Sequence, residues 1–349
     1  MYDDQLFFQM YNPTGMINQV MSLELAVGLA HKTKRRTTIH YLSNDGDSNF
    51  DYKKVPIYTP STFYNDQRKD FTNKEQYPKI TDLMDIPELN INFIDEKIER
   101  FPEENFVYGN ILENNYFSEE DELTFVEMEF AEGRKRLDFK PGINYHLKFT
   151  LGWYSRFFYK RDSELDLALS KVSFKQEYQD LALKIAKFLG EFQGAHLRLS
   201  DHVRMFNTTE EMFEQGLGKL ENNNMKIILC TDEPSHPMVV KNRHRFELLD
   251  EIIVNNFRDD FLNLSFNDEV VFGLISNLVM HYSEYFIGTS GSTYTGYIQR
   301  KRAQNGFKDW DFFDNPNQNS IGPFSWNNYL LDVHKKMWWR EWPESYLRF

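Results

Sequence analysis

Short apolar runs alternate with helix-period stretches along this chain, twice over, and that alternation restricts it to layered α/β folds. Residues 5–11 (QLFFQMY) form an apolar and aromatic run, Asn12-Pro13-Thr14-Gly15 supplies turn chemistry, and Met16 to Ala30 repeats apolar groups at helical spacing. A second strand, Thr37 to Leu42, follows at the distance of a βαβ unit with a parallel sheet. The pattern returns after residue 174. Phe174 to Leu189 is predicted helical, with Leu181, Ile185 and Leu189 on one face and Gly190 at its stop. Strands are predicted at Ala195 to Leu199, Lys226 to Thr231, Ile252 to Asn256 and Tyr285 to Thr289, separated by helical patterns such as Glu269 to Tyr282.

At 349 residues the chain exceeds one ordinary domain, so two α/β domains are expected, residues 1–192 and 193–319. A last helix within about 320–349 is expected to pack back on the first domain, and its Trp-rich face is read as packing or as a sugar-stacking stripe. The polar stretch from Ser43 to about Asp121 reads as long loops and short helices. Its Asp45-Gly46-Asp47 resembles the carboxylate pairs that hold Mg or Mn, although the turn-prone setting favours a surface turn.

Charge and cysteine usage exclude several function classes. A formal charge of −13 argues against a nucleic-acid binder, which would carry a basic footprint. The tract Lys32 to Arg36 closes a predicted helix, where cations complement the dipole. The one cysteine, Cys230, lies inside an apolar run, so no intrachain disulfide can form and a reducing compartment is expected. No run approaches the roughly 18 apolar residues of a membrane span, and residues 1–30 lack a signal-peptide pattern, so the expectation is a cytoplasmic protein with no membrane span.

In open parallel sheets ligands bind beyond the carboxyl ends of strands, and four segments there carry convergent polar groups. His196-x-Arg198-x-x-Asp201 closes a predicted strand; a guanidinium binds phosphate through paired N–H groups, and an Arg beside an Asp can equally be a structural ion pair. Residues 286–302 (FIGTSGSTYTGYIQRKR) run from a strand through glycines and hydroxyls into a helix. That helix start is either a phosphate cradle with Ser292, Thr293 and Thr295 as hydroxyl donors, or a simple N-cap. Asp232, in Thr231-Asp232-Glu233-Pro234, can accept from a base edge or ribose, or cap a helix. Gly15 and Asn18 belong to a Gly-x-x-Asn-Gln turn that can set amides against a sugar or merely start a helix.

The order of these elements resembles the fucosyltransferase superfamily that uses GDP-fucose. Thr14-Gly15-Met16-Ile17-Asn18-Gln19 is similar to the Gly-Gly-Leu-Gly-Asn-Gln turn of α1,2-fucosyltransferases and the Gly-Asn-Gln turn of protein O-fucosyltransferases. His196-Leu-Arg198-Leu-Ser-Asp201 resembles the His-x-Arg-x-x-Asp motif of α1,6-fucosyltransferases, and Thr231-Asp232-Glu233-Pro234 their Thr-Asp-Asp-Pro. Phe286 to Arg302 is similar to a protein O-fucosyltransferase segment. The resemblance implies a GT-B architecture, two Rossmann-like domains with parallel sheets facing across a cleft, with residues 1–192 on the acceptor side and 193–319 binding the nucleotide sugar. It implies inverting, metal-independent transfer of fucose from GDP-fucose to a protein or glycan hydroxyl, with no cofactor beyond the donor substrate. Arg198 would contact the diphosphate and stabilise departing GDP, His196 help bind donor, Asp232 read the nucleoside, and Ser292, Thr293 and Tyr294 surround the phosphates. Gly15 and Asn18 would lie on the acceptor and sugar side, while Glu24, Asp201 and Glu129 are general-base candidates by type alone.

The chain also departs from those families. Leu199 stands where many relatives have a second Arg, so part of the phosphate compensation is expected from Arg204 or Arg302. Gly15 stands near the position of the protein O-fucosyltransferase Arg, and Cys230 leaves no partner for the disulfides of secretory members. Two other readings stay open: a GT-B transferase using another nucleotide sugar, and a noncatalytic nucleotide-sugar or glycan-binding protein.

Overall fold

The structure, a computed structural model, describes residues 5–11, 36–42, 80–86, 91–94, 106–110, 144–149, 172–199, 209–221, 225–267, 269–289, 292–305, 307 and 310–312, together with positions 16, 17, 20, 23, 24, 27 and 30. Its contacts divide it into two compact units. The first carries β1 (Gln5–Tyr11), β2 (Arg36–Leu42), the single turn α1 (Ile80–Leu83), β3 (Met84–Asp85), β4 (Ile91–Ile94), β5 (Phe106–Asn110), β6 (Asn144–Phe149) and β7 (Ser173–Phe174). Five of these strands form a parallel sheet in the order β4-β2-β1-β6-β5. β1 lies at its centre, with Phe8 opposite Ile39 on one side and Leu147 on the other. β3 and β7 pair antiparallel, setting buried Met84 against buried Phe174.

The apolar periodicity after β1 has its structural counterpart. Met16, Ile17, Val20, Leu23, Val27 and Ala30 are helical and buried, recurring every three or four residues as one face of a helix does. Glu24 shares that face and is 1% exposed. The polar stretch after residue 43 departs from expectation, because β4 and β5 lie within it. Each is four or five residues long, too short to impose a period on its polar surroundings.

The second unit begins, among the described residues, with α2 (Gln176–Leu189) and β8 (Phe192–Leu197). Tyr178, Leu181, Ala182, Ile185, Ala186 and Leu189 form the buried face of α2. Gly190 ends it at φ +67°, a left-handed value that glycine adopts at low cost, with its N–H donating to Ala186 O at 3.0 Å. Then come α3 (Glu210–Glu221), β9 (Lys226–Thr231), α4 (Pro237–Lys241), a 3-10 turn at Arg243–Arg245, β10 (Glu247–Leu248), α5 (Leu249–Asn256) and α6 (Arg258–Leu262). The unit continues through α7 (Glu269–Met280), β11 (Tyr285–Gly288), α8 (Thr293–Gln304) and β12 (Trp310–Phe312).

Its five strands are all parallel, in the order β10-β9-β8-β11-β12. All six residues of β8, at the centre, are buried, as expected of a strand covered on both faces. Ala195, Leu197, Leu229 and Ile287 from the sheet pack with Phe213, Leu217 and Leu220 of α3 in one core. One predicted strand is wrong: residues 252–256 belong to α5. The β-branched trio Ile252-Ile253-Val254 favours a strand locally. Taken with Leu249, however, Ile252 and Ile253 complete a buried stripe at helical spacing, and Asp250 and Glu251 sit in the first turn where the helix dipole favours them. The strand of this crossover is the two-residue β10 just before.

Candidate functional site

The strand order of the second sheet reverses between β8 and β11, and such a reversal opens a crevice at the carboxyl ends of the two strands. β8 reaches that point flanked on both sides, since His196 lies opposite Cys230 of β9 and Gly288 of β11. Just beyond the strand ends, hydrogen bonds stitch the chains together. Thr289 N–H donates to His196 O at 3.0 Å, and Arg198 N–H donates to Thr289 Oγ1 at 3.0 Å. On the other side Leu199 N–H donates to Asp232 Oδ1 at 2.8 Å.

Asp232 also receives the guanidinium. Arg198 Nε lies 3.2 Å from Asp232 Oδ2, and the two side chains are 13% and 1% exposed. A carboxylate this buried needs such partners, because an uncompensated buried charge is costly. The pair fixes the guanidinium plane at the mouth of the switch point. Residue types alone left open whether Asp232 faces a ligand or caps a helix; it engages Arg198 and the Leu199 amide.

α8 follows β11 at the same end of the sheet. Ser292 and Thr293, both buried, stand at its start, and Gly296 N–H donates to Ser292 O at 3.0 Å. The first turn of a helix presents amide hydrogens that its own carbonyls do not satisfy, so this end favours an anion. Thr295 turns inward and shares a 2.7 Å hydrogen bond with Nδ1 of His196. The Tyr294 ring lies against the His196 ring, centroids 4.5 Å apart at 30°. Tyr294 Oη donates to Gly273 O at 2.8 Å and lies 3.7 Å from Cys230 Sγ.

Gly288 makes this closeness possible. A Cβ there would stand 2.4 Å from Thr295 Cγ2 and 2.7 Å from its Oγ1, inside any permitted contact. A glycine within a strand is the sequence signal for such an approach. The sequence instead suggested Thr295 as a phosphate donor, and its bond to His196 depends on a fold that places residues 99 apart side by side.

The structure therefore brings His196, Arg198, Asp232, Ser292, Thr293 and Tyr294 to the carboxyl end of one sheet. Gly15, Asn18, Asp201, Arg204, Glu129, Asp45 and Asp47 lie outside the described residues. Arg302 corrects an expectation. Instead of compensating phosphate it is fully buried in the last turn of α8, its Nη1 donating to Ser283 Oγ at 2.9 Å and its Nη2 to Glu284 O at 3.1 Å. Its guanidinium also stacks 4.9 Å from the Phe307 ring centroid. Beside it His281 is buried, and burial first, then the charges of Lys301, Arg302 and Arg300, hold its pKa well below the ordinary histidine value. Among the described residues no group of three or more His, Cys, Asp or Glu is placed to hold a metal ion, and no helix is long and apolar enough to cross a membrane.

No family model matches the sequence, and no curated protein does. Solved structures do. The fucosyltransferase NodZ from Bradyrhizobium matches with a TM-score of 0.51 at 13% identity, over 93% of this chain and 100% of that one. Its selenomethionine form gives a TM-score of 0.52 at 12% identity, over 93% and 99%. POFUT1 in complex with GDP-fucose gives 0.43 at 12% identity, over 89% and 98%. The likeness is one of fold. Mixed α/β architecture built on parallel sheets is common to this chain and to NodZ, over nearly the whole length of each.

Proposed function

We propose that this chain is an inverting, metal-independent glycosyltransferase of GT-B architecture that transfers fucose from GDP-fucose to a hydroxyl of a protein or glycan acceptor. The observation that carries the reading is the meeting of Arg198, His196 and the start of α8 at the switch point of the second sheet. Those are the groups an anionic leaving group needs: an oriented guanidinium and a helix N-terminus with buried hydroxyls. The motif resemblance supports the same reading, and so does the fold shared with a fucosyltransferase. In it the unit built on β8–β12 binds donor, Arg198 and the helix start stabilise the charge of departing GDP, and the acceptor oxygen attacks the anomeric carbon from the opposite face. Gly15 and Asn18 contribute from the acceptor side.

The test is a thermal-shift titration with GDP, GDP-fucose, GDP-mannose and UDP-glucose, with and without EDTA. GDP and GDP-fucose are expected to raise the melting temperature, by about 2.7 kcal/mol of added stability at a hundred times Kd, and EDTA to leave the effect intact. Stabilisation by UDP-glucose alone, or by none of the four, refutes the reading.

A further inference from the structure

The buried ring of His196 is gripped by two consecutive residues of α8. Thr295 holds its edge through the 2.7 Å bond to Nδ1, and Tyr294 covers its face. Both grips are braced. Thr295, itself 0% exposed, is seated against the Cα of Gly288, where no larger residue fits. Tyr294 is held by α7 at two points, through its hydroxyl on Gly273 O and through its carbonyl oxygen, which accepts from Asn277 Nδ2 at 3.4 Å. Asn277 Oδ1 in turn shares a 3.0 Å hydrogen bond with His281 Nε2. Gly273 and Asn277 stand four residues apart on α7, and His281 follows four later, just past its end; the helix's other described positions are almost all buried and apolar. The buried side chains of Asn277 and His281 cost desolvation unless they are paired, and Asn277 is paired with both Tyr294 and His281.

A hydroxyl can donate to a ring nitrogen or accept from its N–H, so its bond to Nδ1 fixes the place of the ring, whichever nitrogen carries the proton. We propose that Thr295 is a positioning residue for His196, holding the ring in one orientation through its bond to Nδ1, so that the ring meets a nucleoside diphosphate already in place. This rests on the donor-site reading given above for its consequence, and on the contacts of α8 with β8, β11 and α7 for its geometry.

Thr295→Val removes the hydroxyl at nearly constant volume, and Thr295→Ser keeps the hydroxyl while removing the methyl. Nitrogen-15 spectra of the histidine rings, with His196 identified by the signals missing in His196→Gln, are expected to move in Thr295→Val and to hold in Thr295→Ser. GDP affinity measured by calorimetry is expected to fall about tenfold in Thr295→Val and to stay within about twofold in Thr295→Ser. Should Thr295→Val not fold, Thr295→Ala makes the same comparison, with its Tm checked first. Unchanged His196 signals in a folded hydroxyl-free variant overturn the proposal, as do equal losses in Thr295→Ser, which would make the contact one of packing. Absence of any GDP response in the parent protein overturns the donor reading instead, because the ring-nitrogen comparison needs no ligand.

Discussion

Arg198 pairs with Asp232 and, in the proposed function, also binds the donor diphosphate, and substitutions separate the two. Arg198→Ala leaves Asp232 buried without its guanidinium and is expected to cost about 3 kcal/mol of stability. Arg198→Lys keeps a cation near Asp232 but loses the planar fork; its Tm is expected to stay close to the parent's while GDP affinity drops at least about tenfold. Equal affinities in Arg198→Lys and the parent would reduce Arg198 to a structural partner of Asp232. Gly288 is a purely steric case. Gly288→Ala drives a methyl into Thr295 and is expected to destabilise by about 1–3 kcal/mol. Adding Thr295→Ala should return part of that loss, a non-additive result readable by denaturant melts of the four proteins. His281 gives a pH signature. Its folded pKa is depressed, so the folded state keeps it neutral while the unfolded chain takes up a proton below about pH 6.5. Its contribution is therefore complete above about pH 6.5 and is lost as pH falls below that value, at up to about 1.4 kcal/mol per pH unit. The Tm of His281→Gln should fall less steeply than the parent's over that window, and parallel curves would refute the assignment.

At the scale of elements, α2 shows how far local chemistry reaches. Its apolar face and its glycine stop were both legible in sequence, because spacing and a C-terminal Gly act within a few residues. A methyl group added at Gly190 would meet no atom within 4 Å, so Gly190→Ala incurs only the backbone penalty of φ +67°, about 1 kcal/mol by chemical denaturation. A larger loss would mean that more than φ is at stake. α5 shows where local chemistry misleads. Its β-branched centre speaks for a strand, and only the sheet, which needs just Glu247–Leu248 beside β9, decides otherwise. β4 and β5 went unread for the related reason that a short parallel strand draws its stability from neighbours distant in sequence.

For the molecule as a whole, the alternation of strand and helix predicted parallel α/β sheets, and two such sheets are present. The candidate site was legible as four separate segments, three of which converge at one end of the second sheet. Illegible were the ties among them, Thr289 to Arg198 and Thr295 to His196, since no local pattern encodes a partner about a hundred residues away. The whole-molecule prediction is that GDP slows amide hydrogen exchange chiefly beyond the ends of β8 and β9 and at the start of α8. Protection centred on β1 and β2 instead would move the donor site to the other unit.

The ties around His196 also bear on how the protein is made. Arg198 meets Asp232 across 34 positions of sequence, but His196 meets Thr295 across 99 and Arg198 meets Thr289 across 91. Closing loops of this length costs more entropy than bringing Arg198 to Asp232, so these contacts are expected to form after that pair. During synthesis the crevice stays incomplete until Thr295 has left the ribosome, long after β8 and β9 have emerged. Chains truncated before α8 therefore carry every residue of the His-x-Arg segment but lack the Thr295 and Tyr294 contacts that hold the His196 ring.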